Sequence, residues 1–401
     1  MSHKNQAQIT ELLEKAVENI YPNRKFLEDK LNSGKKLTLY LGIDPTGDVL
    51  HLGHAIPLMK LKAFQNLGHK IILLIGNFTA LCGDPDKSHT RQRLTTKEIN
   101  QNLKNYKTQI GKILDLKGKN PVEFKFNYDW LSKLSLVDFI EIASHFTVQQ
   151  MLARDLFVNR MKTESPIAMH EFFYPLMQAY DSVAMNVDGE IGGNDQTFNM
   201  LAGRDLMKSM KHQEKFVLTT KLLTDPTGKK MGKTENNMIT LNDSSQNIFG
   251  KVMSWSDEMI VPGFELCTSK TLTEVKAFQD KLSQGINPRE LKVNLAKEII
   301  SLYYSTQEAN QAEIEFNKIF RDKNNPVDMP KLFIINIEYN IIDLIMLAEL
   351  TSTKAEAKRL VEQGGVKLDN QTINNWQDKV KPKNNSVLKV GKRKFVELKI
   401  K

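Results

Sequence analysis

The sequence predicts an α/β fold in which a parallel sheet comes first, a helical domain follows, and a small α+β module ends the chain. Three observations support this prediction. Strand-like apolar runs alternate with helical patterns up to about residue 246, the pattern over 247–320 is helical, and a polar segment with two prolines then precedes several short strand patterns. Alternating strands and helices are typical of Rossmann-type parallel sheets, whose ligands lie at the carboxyl ends of the strands.

The elements of the first part follow from hydrophobic patterns. A helical lead-in is expected over 9–31, and the apolar run LTLYLGI at 37–43 predicts a buried strand. The next helix is expected over about 52–65, where Pro57 requires the helix to begin a little late. The runs KIILLIGNF and EFKFNYDW predict two further strands.

The last part of the chain resolves into a linker and a module. The polar stretch that begins at Arg321 predicts a linker. Beyond it, Thr353 with Glu356 has the pattern of a helix start, two glycines after Gln363 end that helix, and VKLDNQTI and VLKVGKRKFVELKI each predict a hairpin. The predicted divisions are a Rossmann-type domain with an insertion near 131–185, a helical domain, a linker and the module, at 1–246, 247–320, 321–340 and 341–401.

Composition limits the class of protein. The chain has 401 residues, of which 40% are hydrophobic and 26% charged, as in globular domains with sizeable cores. Two cysteines far apart in the sequence exclude a disulfide framework or a zinc ribbon. Because no apolar run reaches the ~18–20 residues of a membrane-spanning helix and the polar N-terminus lacks a signal-peptide pattern, we expect a cytoplasmic protein without a membrane partner.

The net charge of +9 is unevenly distributed. Residues 341–401 contain thirteen Lys or Arg against seven Asp or Glu, a surplus of six, and the rest of the chain is nearly neutral. Such a basic segment favours a polyanionic partner such as RNA, although it could also serve only solubility.

Two histidines, His51 and His54, lie where the first predicted strand turns into its helix, in GIDPTGDVLHLGH. At this spacing the imidazoles face the same way, which is compatible with a core residue beside a helix cap, a metal site or an anion site. A metal site needs further ligands that the neighbouring sequence does not offer. A helix start offers N–H groups and the positive end of its dipole to phosphate, so the anion site is favoured.

A second basic feature is the loop GKKMGKTE at 228–235, which follows the strand pattern KFVLTTKLL. Alone, such a lysine cluster is most often a solvated loop, and it lacks the spacing of a P-loop. Combined with an upstream histidine pair in one α/β chain, it predicts a site for a nucleotide.

The two stretches resemble the HIGH and KMSKS signatures of class I aminoacyl-tRNA synthetases in their order and separation. YLGIDPTGDVLHLGH, TALCGDP, YPLMQAYD and GGNDQTFN resemble segments of bacterial tyrosyl-tRNA synthetases, and the basic module is similar to the αL RNA-binding module shared with ribosomal proteins. The resemblance covers essentially the whole chain. It implies that L-tyrosine is activated by ATP to tyrosyl-adenylate and pyrophosphate, and that tyrosine is then transferred to the 3′-terminal adenosine of tRNA(Tyr).

The resemblance also implies roles for residues around the nucleotide. ATP would arrive with Mg²⁺ held largely by phosphate oxygens, and no protein-bound metal or organic cofactor is implied. The implied ATP-binding residues are Gly42, Asp44, His51, His54, Gly192, Gly193, Asp195 and Lys233. Those implied in catalysis, as donors to phosphate oxygens on which charge accumulates, are Thr46, His51, His54, Lys87, Arg91, Lys230, Lys233 and Thr234.

The stretch HEFFYPLMQAYD places a polar stripe on one face of a predicted helix. Polar groups among Phe and Met are costly to bury unpaired, so the stripe faces solvent or binds a ligand. By resemblance, the tyrosine-binding residues are Tyr40, Asp84, Tyr174, Gln178, Asp181 and Gln196. Tyr40 and Asp181 would bind the phenolic hydroxyl, and a pocket built to pair a hydroxyl rejects an analogue without one.

Two alternatives stay open. A tryptophanyl-tRNA synthetase shares both signatures but needs no partner for a phenol, so Tyr40 and Asp181 favour tyrosine. An RNA-binding protein on a decayed synthetase scaffold would use only the basic tail, and the intact signatures argue against it. The resemblance further implies a homodimer, with an interface expected around 138–169.

Overall fold

A computed structural model describes residues 3–82, 95–231, 238–320, 329–391 and 394–400 of the chain. The residues fall into two compact units, the first formed by 1–244 and 251–305 and the second by 245–250 and 306–401. The four-part division predicted from the sequence stays a prediction. No helix in these described ranges combines the length and the apolar character that crossing a membrane requires.

The first unit is built on a six-stranded sheet with the strand order β1-β6-β5-β2-β3-β4. Its strands are β1 (Val17–Tyr21), β2 (Thr38–Ile43), β3 (Lys70–Ile75), β4 (Glu123–Phe126), β5 (Gly189–Gly193) and β6 (Phe216–Thr220). All neighbours are parallel except β1 and β6, which pair antiparallel. The predicted parallel sheet is therefore confirmed, and apolar side chains such as Leu39, Leu73 and Leu218 are fully buried on its central strands.

Helices occupy most of the rest of this unit. They are α1 (His3–Glu14), α2 (Arg24–Asn32), α3 (Leu52–Asn66), α4 (Thr79–Cys82), α5 (Thr96–Ile110), α6 (Tyr128–Leu131), α7 (Leu136–Ser144), α8 (Val148–Leu152), α9 (Asp155–Lys162), α10 (Phe173–Met185), α11 (Thr197–Lys211), α12 (Ser245–Met253), α13 (Ile260–Cys267), α14 (Leu272–Ser283) and α15 (Pro288–Tyr303). The boundary between the two units falls within α12.

Two local predictions are wrong. Strand β1 interrupts the lead-in expected to be helical, because Ala16 adopts a positive φ of 56° after α1 and the following VENIY segment finds backbone partners on β6. Helix α3 does not begin late: it starts at Leu52, with Pro57 inside it. His51 caps that start, and Pro57 removes only one N–H donor from the helix.

The second unit contains α16 (Thr306–Phe320) and a small α+β module with its own core. The module's elements are β7 (Lys331–Ile334), β8 (Tyr339–Asn340), α17 (Ile341–Leu347), α18 (Lys354–Glu362), β9 (Val366–Leu368), β10 (Gln371–Ile373), β11 (Lys379–Val380), β12 (Ser386–Val390) and β13 (Lys394–Ile400). Both predicted hairpins are confirmed as β9–β10 and β12–β13, and Thr353 caps α18 as expected. Within the predicted linker at 321–340, residues 331–334 and 339–340 form strands, since β7 pairs with β13 and β8 with β11.

Candidate active site

The two histidines of the HLGH turn lie side by side at the start of α3, just beyond the carboxyl end of β2. Their ring centroids are 4.0 Å apart. His51 Nδ1 accepts a hydrogen bond from the Gly53 N–H at 3.1 Å, and His54 Nδ1 accepts one from the His51 N–H at 3.3 Å. Both Nδ1 atoms are therefore acceptors, so each neutral ring carries its proton on Nε2, which is a donor. Both histidines therefore take part in capping α3. Because their Nδ1 atoms are used in this way, their Nε2–H groups are left as donors suited to phosphate oxygens.

The histidine turn forms backbone hydrogen bonds with residues 239–241. The Leu52 N–H donates to the Ile239 carbonyl at 3.0 Å, and the Leu241 N–H donates to the Leu50 carbonyl at 2.8 Å. The chain that leaves the lysine loop is thus paired with the backbone of the histidine turn.

The described part of the lysine loop reaches the segment that follows β5. Lys230 Nζ forms an ion pair with the Asp195 carboxylate, and the Met231 N–H donates to the Leu223 carbonyl at 2.9 Å. An added Cβ would lie 2.9 Å from Met200 Sδ at Gly192 and 2.5 Å from Asp195 Oδ1 at Gly193, so each of these side chains would have to shift. Lysine and carboxylate are therefore held together where the ribose and phosphates are expected.

Asp44, directly after β2, joins the segment before the histidine turn to the polar stripe of α10. Its carboxylate accepts hydrogen bonds from the Tyr174 hydroxyl at 2.9 Å and from Thr79 Oγ1 at 2.8 Å, and its carbonyl accepts the Thr46 N–H at 2.8 Å. Among the described residues, no atom lies within 4 Å of a Cβ added at Gly42.

The end of the polar stripe is buried and already paired. Asp181 is 2% exposed and accepts hydrogen bonds from Trp130 Nε1 at 2.8 Å and Asn127 Nδ2 at 3.3 Å. Burial raises the pKa of Asp181 well above its usual value, although these two hydrogen bonds oppose the rise. The stripe does not face solvent here, so the alternative of a merely solvated helix face is wrong at Asp181.

Tyr40 is fully buried beside this carboxylate, and its hydroxyl lies 2.9 Å from Ser182 Oγ. Burial raises the pKa of Tyr40 well above its usual value, and the negative charges of Glu190 and Asp181 raise it further. The hydroxyl is therefore protonated and can act as a donor.

Gln178 and Gln196 are held by neighbouring side chains. Gln178 Nε2 donates to Glu190 Oε1 at 3.0 Å, and Gln196 Oε1 accepts from Asn199 Nδ2 at 2.9 Å. Asp84, Lys87, Arg91, Lys233 and Thr234 lie outside the described residues, and their roles stay predictions. In the described part of the chain, no group of three His, Cys, Asp or Glu side chains could hold a metal ion.

Sequence reasoning missed several side chains of this region. Asn127 follows the end of β4, and the rule that ligands lie at carboxyl ends of strands could have selected it. Glu190 is a charged residue within the otherwise uncharged strand β5, which is a second usable signal. Ser182 and Lys215 carry no signal of this kind, because only tertiary contacts bring them to Tyr40 and Glu190.

The comparisons with known proteins agree with one another. A family model described as tRNA synthetases class I (W and Y) matches residues 32–321. The chain is 41% identical over 402 residues to tyrosine–tRNA ligase 2 of Clostridium acetobutylicum, with 98% of this chain and 99% of that protein covered. It is 42% identical over 375 residues to the tyrosine–tRNA ligase of Thermotoga maritima, with 93% of this chain and 92% of that protein covered.

Solved structures show the same fold at lower identity. A C-terminally truncated mitochondrial tyrosyl-tRNA synthetase of Aspergillus nidulans matches with a TM-score of 0.66 at 21% identity, over 78% of this chain and 94% of that one. The tyrosyl-tRNA synthetase of Archaeoglobus fulgidus, complexed with L-tyrosine, matches with a TM-score of 0.61 at 20% identity, over 77% and 99%. The chain therefore belongs to the class I tRNA synthetases (W and Y), in the family of the tyrosine–tRNA ligases, and is an aminoacyl-tRNA ligase.

Proposed function

We propose that the chain activates L-tyrosine with ATP, releasing pyrophosphate, and then transfers tyrosine from the adenylate to the 3′-terminal adenosine of tRNA(Tyr). The observation that carries the proposal is the backbone pairing of the histidine turn, at Leu50 and Leu52, with Ile239 and Leu241 in the segment that follows the lysine loop. A cytoplasmic location, where both ATP and tRNA are present, is part of the proposal.

In the first step the tyrosine carboxylate attacks the α-phosphorus of Mg²⁺-bound ATP, and the bond from that phosphorus to the pyrophosphate oxygen breaks. The carboxylate is ionised at neutral pH, so no general base is needed. Negative charge builds on the phosphate oxygens, and the Nε2 donors of His51 and His54 with Lys230 and Lys233 stabilise it.

The ribose and adenine sides of ATP are assigned to two backbone segments. No atom of the described residues lies within 4 Å of a Cβ added at Gly42, which supports close approach of the nucleotide to the end of β2. Asp195, after the closely packed Gly192 and Gly193, accepts hydrogen bonds from ribose hydroxyls. Lys230 then exchanges its Asp195 partner for a phosphate oxygen as ATP enters.

The tyrosine substrate is assigned to the polar stripe of α10. The Tyr174 hydroxyl donates to Asp44, so its oxygen is placed to accept from the substrate ammonium, together with Gln178. The phenolic hydroxyl binds between the buried Tyr40 and Asp181. This pairing is what separates the proposal from tryptophan activation, because an indole offers no group that both donates and accepts.

Pyrophosphate exchange into ATP tests the proposal directly. Exchange is expected with tyrosine. No exchange is expected with tryptophan or in the absence of an amino acid. An enzyme that showed no stimulation by tyrosine would contradict the proposal, and stimulation by tryptophan alone would transfer the assignment to that amino acid.

The basic module is proposed to bind tRNA. Lys367 and Lys389 lie directly opposite each other on β9 and β12, and burial together with the charge of Lys367 lowers the pKa of Lys389. Like charges in cross-strand positions destabilise a sheet, so a bound polyanion would relieve them. The surplus of six basic residues over 341–401 supports the same partner.

Deleting the residues after 321 is therefore expected to weaken tRNA charging while sparing tyrosine-dependent pyrophosphate exchange. Each tRNA phosphate that the truncated chain no longer neutralises reduces the slope of log affinity for tRNA against log salt by roughly 0.7–0.9. Filter binding at several salt concentrations measures this slope. A truncated chain with the full-length slope would contradict the assignment, and unchanged exchange controls for folding of the first unit.

A homodimer is proposed through the surface of α7 and its neighbours. Leu136 and Val137 are each 75% exposed, Val148 is 67% exposed and Met169 70%, an unusual number of exposed apolar side chains within one segment. Apolar surface of this kind is typical of protein–protein interfaces. The predicted interface at 138–169 overlaps this segment.

Replacing Val137 by aspartate is expected to convert a dimer to a monomer, because a charge would be buried in an apolar interface. Sedimentation equilibrium measures the mass. Ile314→Asp, at a 49% exposed apolar position on α16, is the matched control and should leave the mass unchanged. A Val137 variant with the dimer mass would rule out this surface.

A further inference from the structure

A buried ion pair that the reaction steps leave unused lies behind the assigned tyrosine pocket. Lys215, which precedes β6, is fully buried, and Glu190 on β5 is 2% exposed. Lys215 Nζ contacts the Glu190 carboxylate directly. Two opposite charges have thus been removed from water together, at a cost that an apolar pair of similar volume would not carry. Stability alone is a weak reason for such a pair.

Glu190, the acidic residue of this pair, contacts Gln178 on α10. Gln178 Nε2 donates to Glu190 Oε1 at 3.0 Å. A carboxylate can only accept hydrogen bonds, so Glu190 fixes which end of the Gln178 amide faces it. The carbonyl oxygen of Gln178 is therefore directed away from Glu190, and it is the atom that an ammonium group needs as an acceptor.

Lys215, the basic residue of the pair, is connected to Tyr40 on β2. Lys215 Nζ donates to Ser182 Oγ at 2.8 Å, Ser182 Oγ lies 2.9 Å from the Tyr40 hydroxyl, and Lys215 Nζ also lies 5.6 Å from the centroid of the Tyr40 ring. Gly203 on α11 makes room for this arrangement, because an added Cβ there would lie 2.7 Å from Lys215 Nζ and 2.9 Å from Ser182 Oγ. The ammonium is thus tied to the ring and the hydroxyl of Tyr40.

We propose that Glu190 and Lys215 are positioning residues for tyrosine recognition. Glu190 holds the Gln178 amide with its carbonyl oxygen as an acceptor for the substrate ammonium, and Lys215 holds the Tyr40 hydroxyl, through Ser182, for the phenol. The inference rests on the proposed function, since it assumes that Gln178 and Tyr40 bind tyrosine. Neither positioning residue touches ATP in this arrangement.

Steady-state pyrophosphate exchange on Glu190→Gln, Lys215→Met and the double variant tests the proposal. In Glu190→Gln the new amide can donate or accept, so Gln178 is no longer held in one orientation. The KM for tyrosine is expected to rise about tenfold, as for a lost hydrogen bond to a charged group, with kcat and the KM for ATP within about twofold of wild type. Lys215→Met should lower the ratio of kcat/KM for tyrosine to that for phenylalanine.

The double variant guards against misfolding, because it leaves no unpaired buried charge. The double variant should show both the higher KM for tyrosine and the loss of discrimination against phenylalanine. Ser182→Ala should show only the loss of discrimination. Glu214→Gln is the matched control: Glu214 is the chain neighbour of Lys215 but pairs with Arg204, and its variant should keep wild-type values.

Two failures are distinguishable. A wild-type chain without tyrosine-dependent exchange would overturn the proposed function and this inference with it. A wild-type chain with normal exchange, whose double variant keeps the tyrosine KM and the discrimination against phenylalanine, would overturn the inference alone, whatever happens to the melting temperature.

Discussion

Replacing Lys230 by methionine is expected to lower kcat for tyrosine activation by about 10²–10³, the loss of about 2.7–4 kcal/mol that follows removal of one well-placed donor to a developing negative charge. Lys230 lies in the lysine loop and already contacts Asp195. Because it meets the phosphates most strongly as charge develops, the KM for tyrosine should change little. Pyrophosphate exchange and single-turnover formation of the adenylate measure both quantities.

Lys229→Met is the control for this prediction. It removes the same charge one residue away, so any effect of net loop charge would appear in it equally. A similar loss of kcat in the two variants, or a loss confined to tyrosine affinity, would contradict a specific role for Lys230 at the phosphates.

Asp181→Asn is expected to reduce the preference for tyrosine over phenylalanine by up to about 10², since a buried hydrogen-bonding group left without its proper partner costs about 1–3 kcal/mol. The substitution also turns an amide N–H₂ toward Trp130 Nε1 or Asn127 Nδ2, both of which are donors. The ratio of kcat/KM for the two amino acids in pyrophosphate exchange is the measurement.

Asp205→Asn provides the comparison for Asp181. Burial raises the pKa of this carboxyl as well, but it lies on α11 beside Arg204 and not beside Tyr40. The Asp205→Asn enzyme should prefer tyrosine over phenylalanine as strongly as the wild type does. If the Asp181→Asn enzyme rejects phenylalanine as well as the wild type does, Asp181 does not bind the phenolic hydroxyl.

The parts of the fold that were predicted correctly are those with local signals. The strand at 38–43, the helix after it and both C-terminal hairpins follow from apolar spacing and turn residues. Two strands that were not predicted, β1 and β7, lie at the edges of their sheets. An edge strand is defined by the partner that it finds, and β1 and β7 pair with β6 and β13, which lie far away in sequence.

By itself the sequence determined the sheet type, the helix-capping pair His51 and His54, the lysine loop and the polar stripe of α10, because each depends on residues close together in the chain. Tertiary structure alone decided that Asp44 binds the Tyr174 hydroxyl, that Asn127 and Trp130 hold Asp181, and that the histidine turn pairs with the segment after the lysine loop. The physical reason is that a buried polar group must find a partner within hydrogen-bond distance, and in a parallel sheet that partner comes from a different strand or helix, which no local pattern specifies.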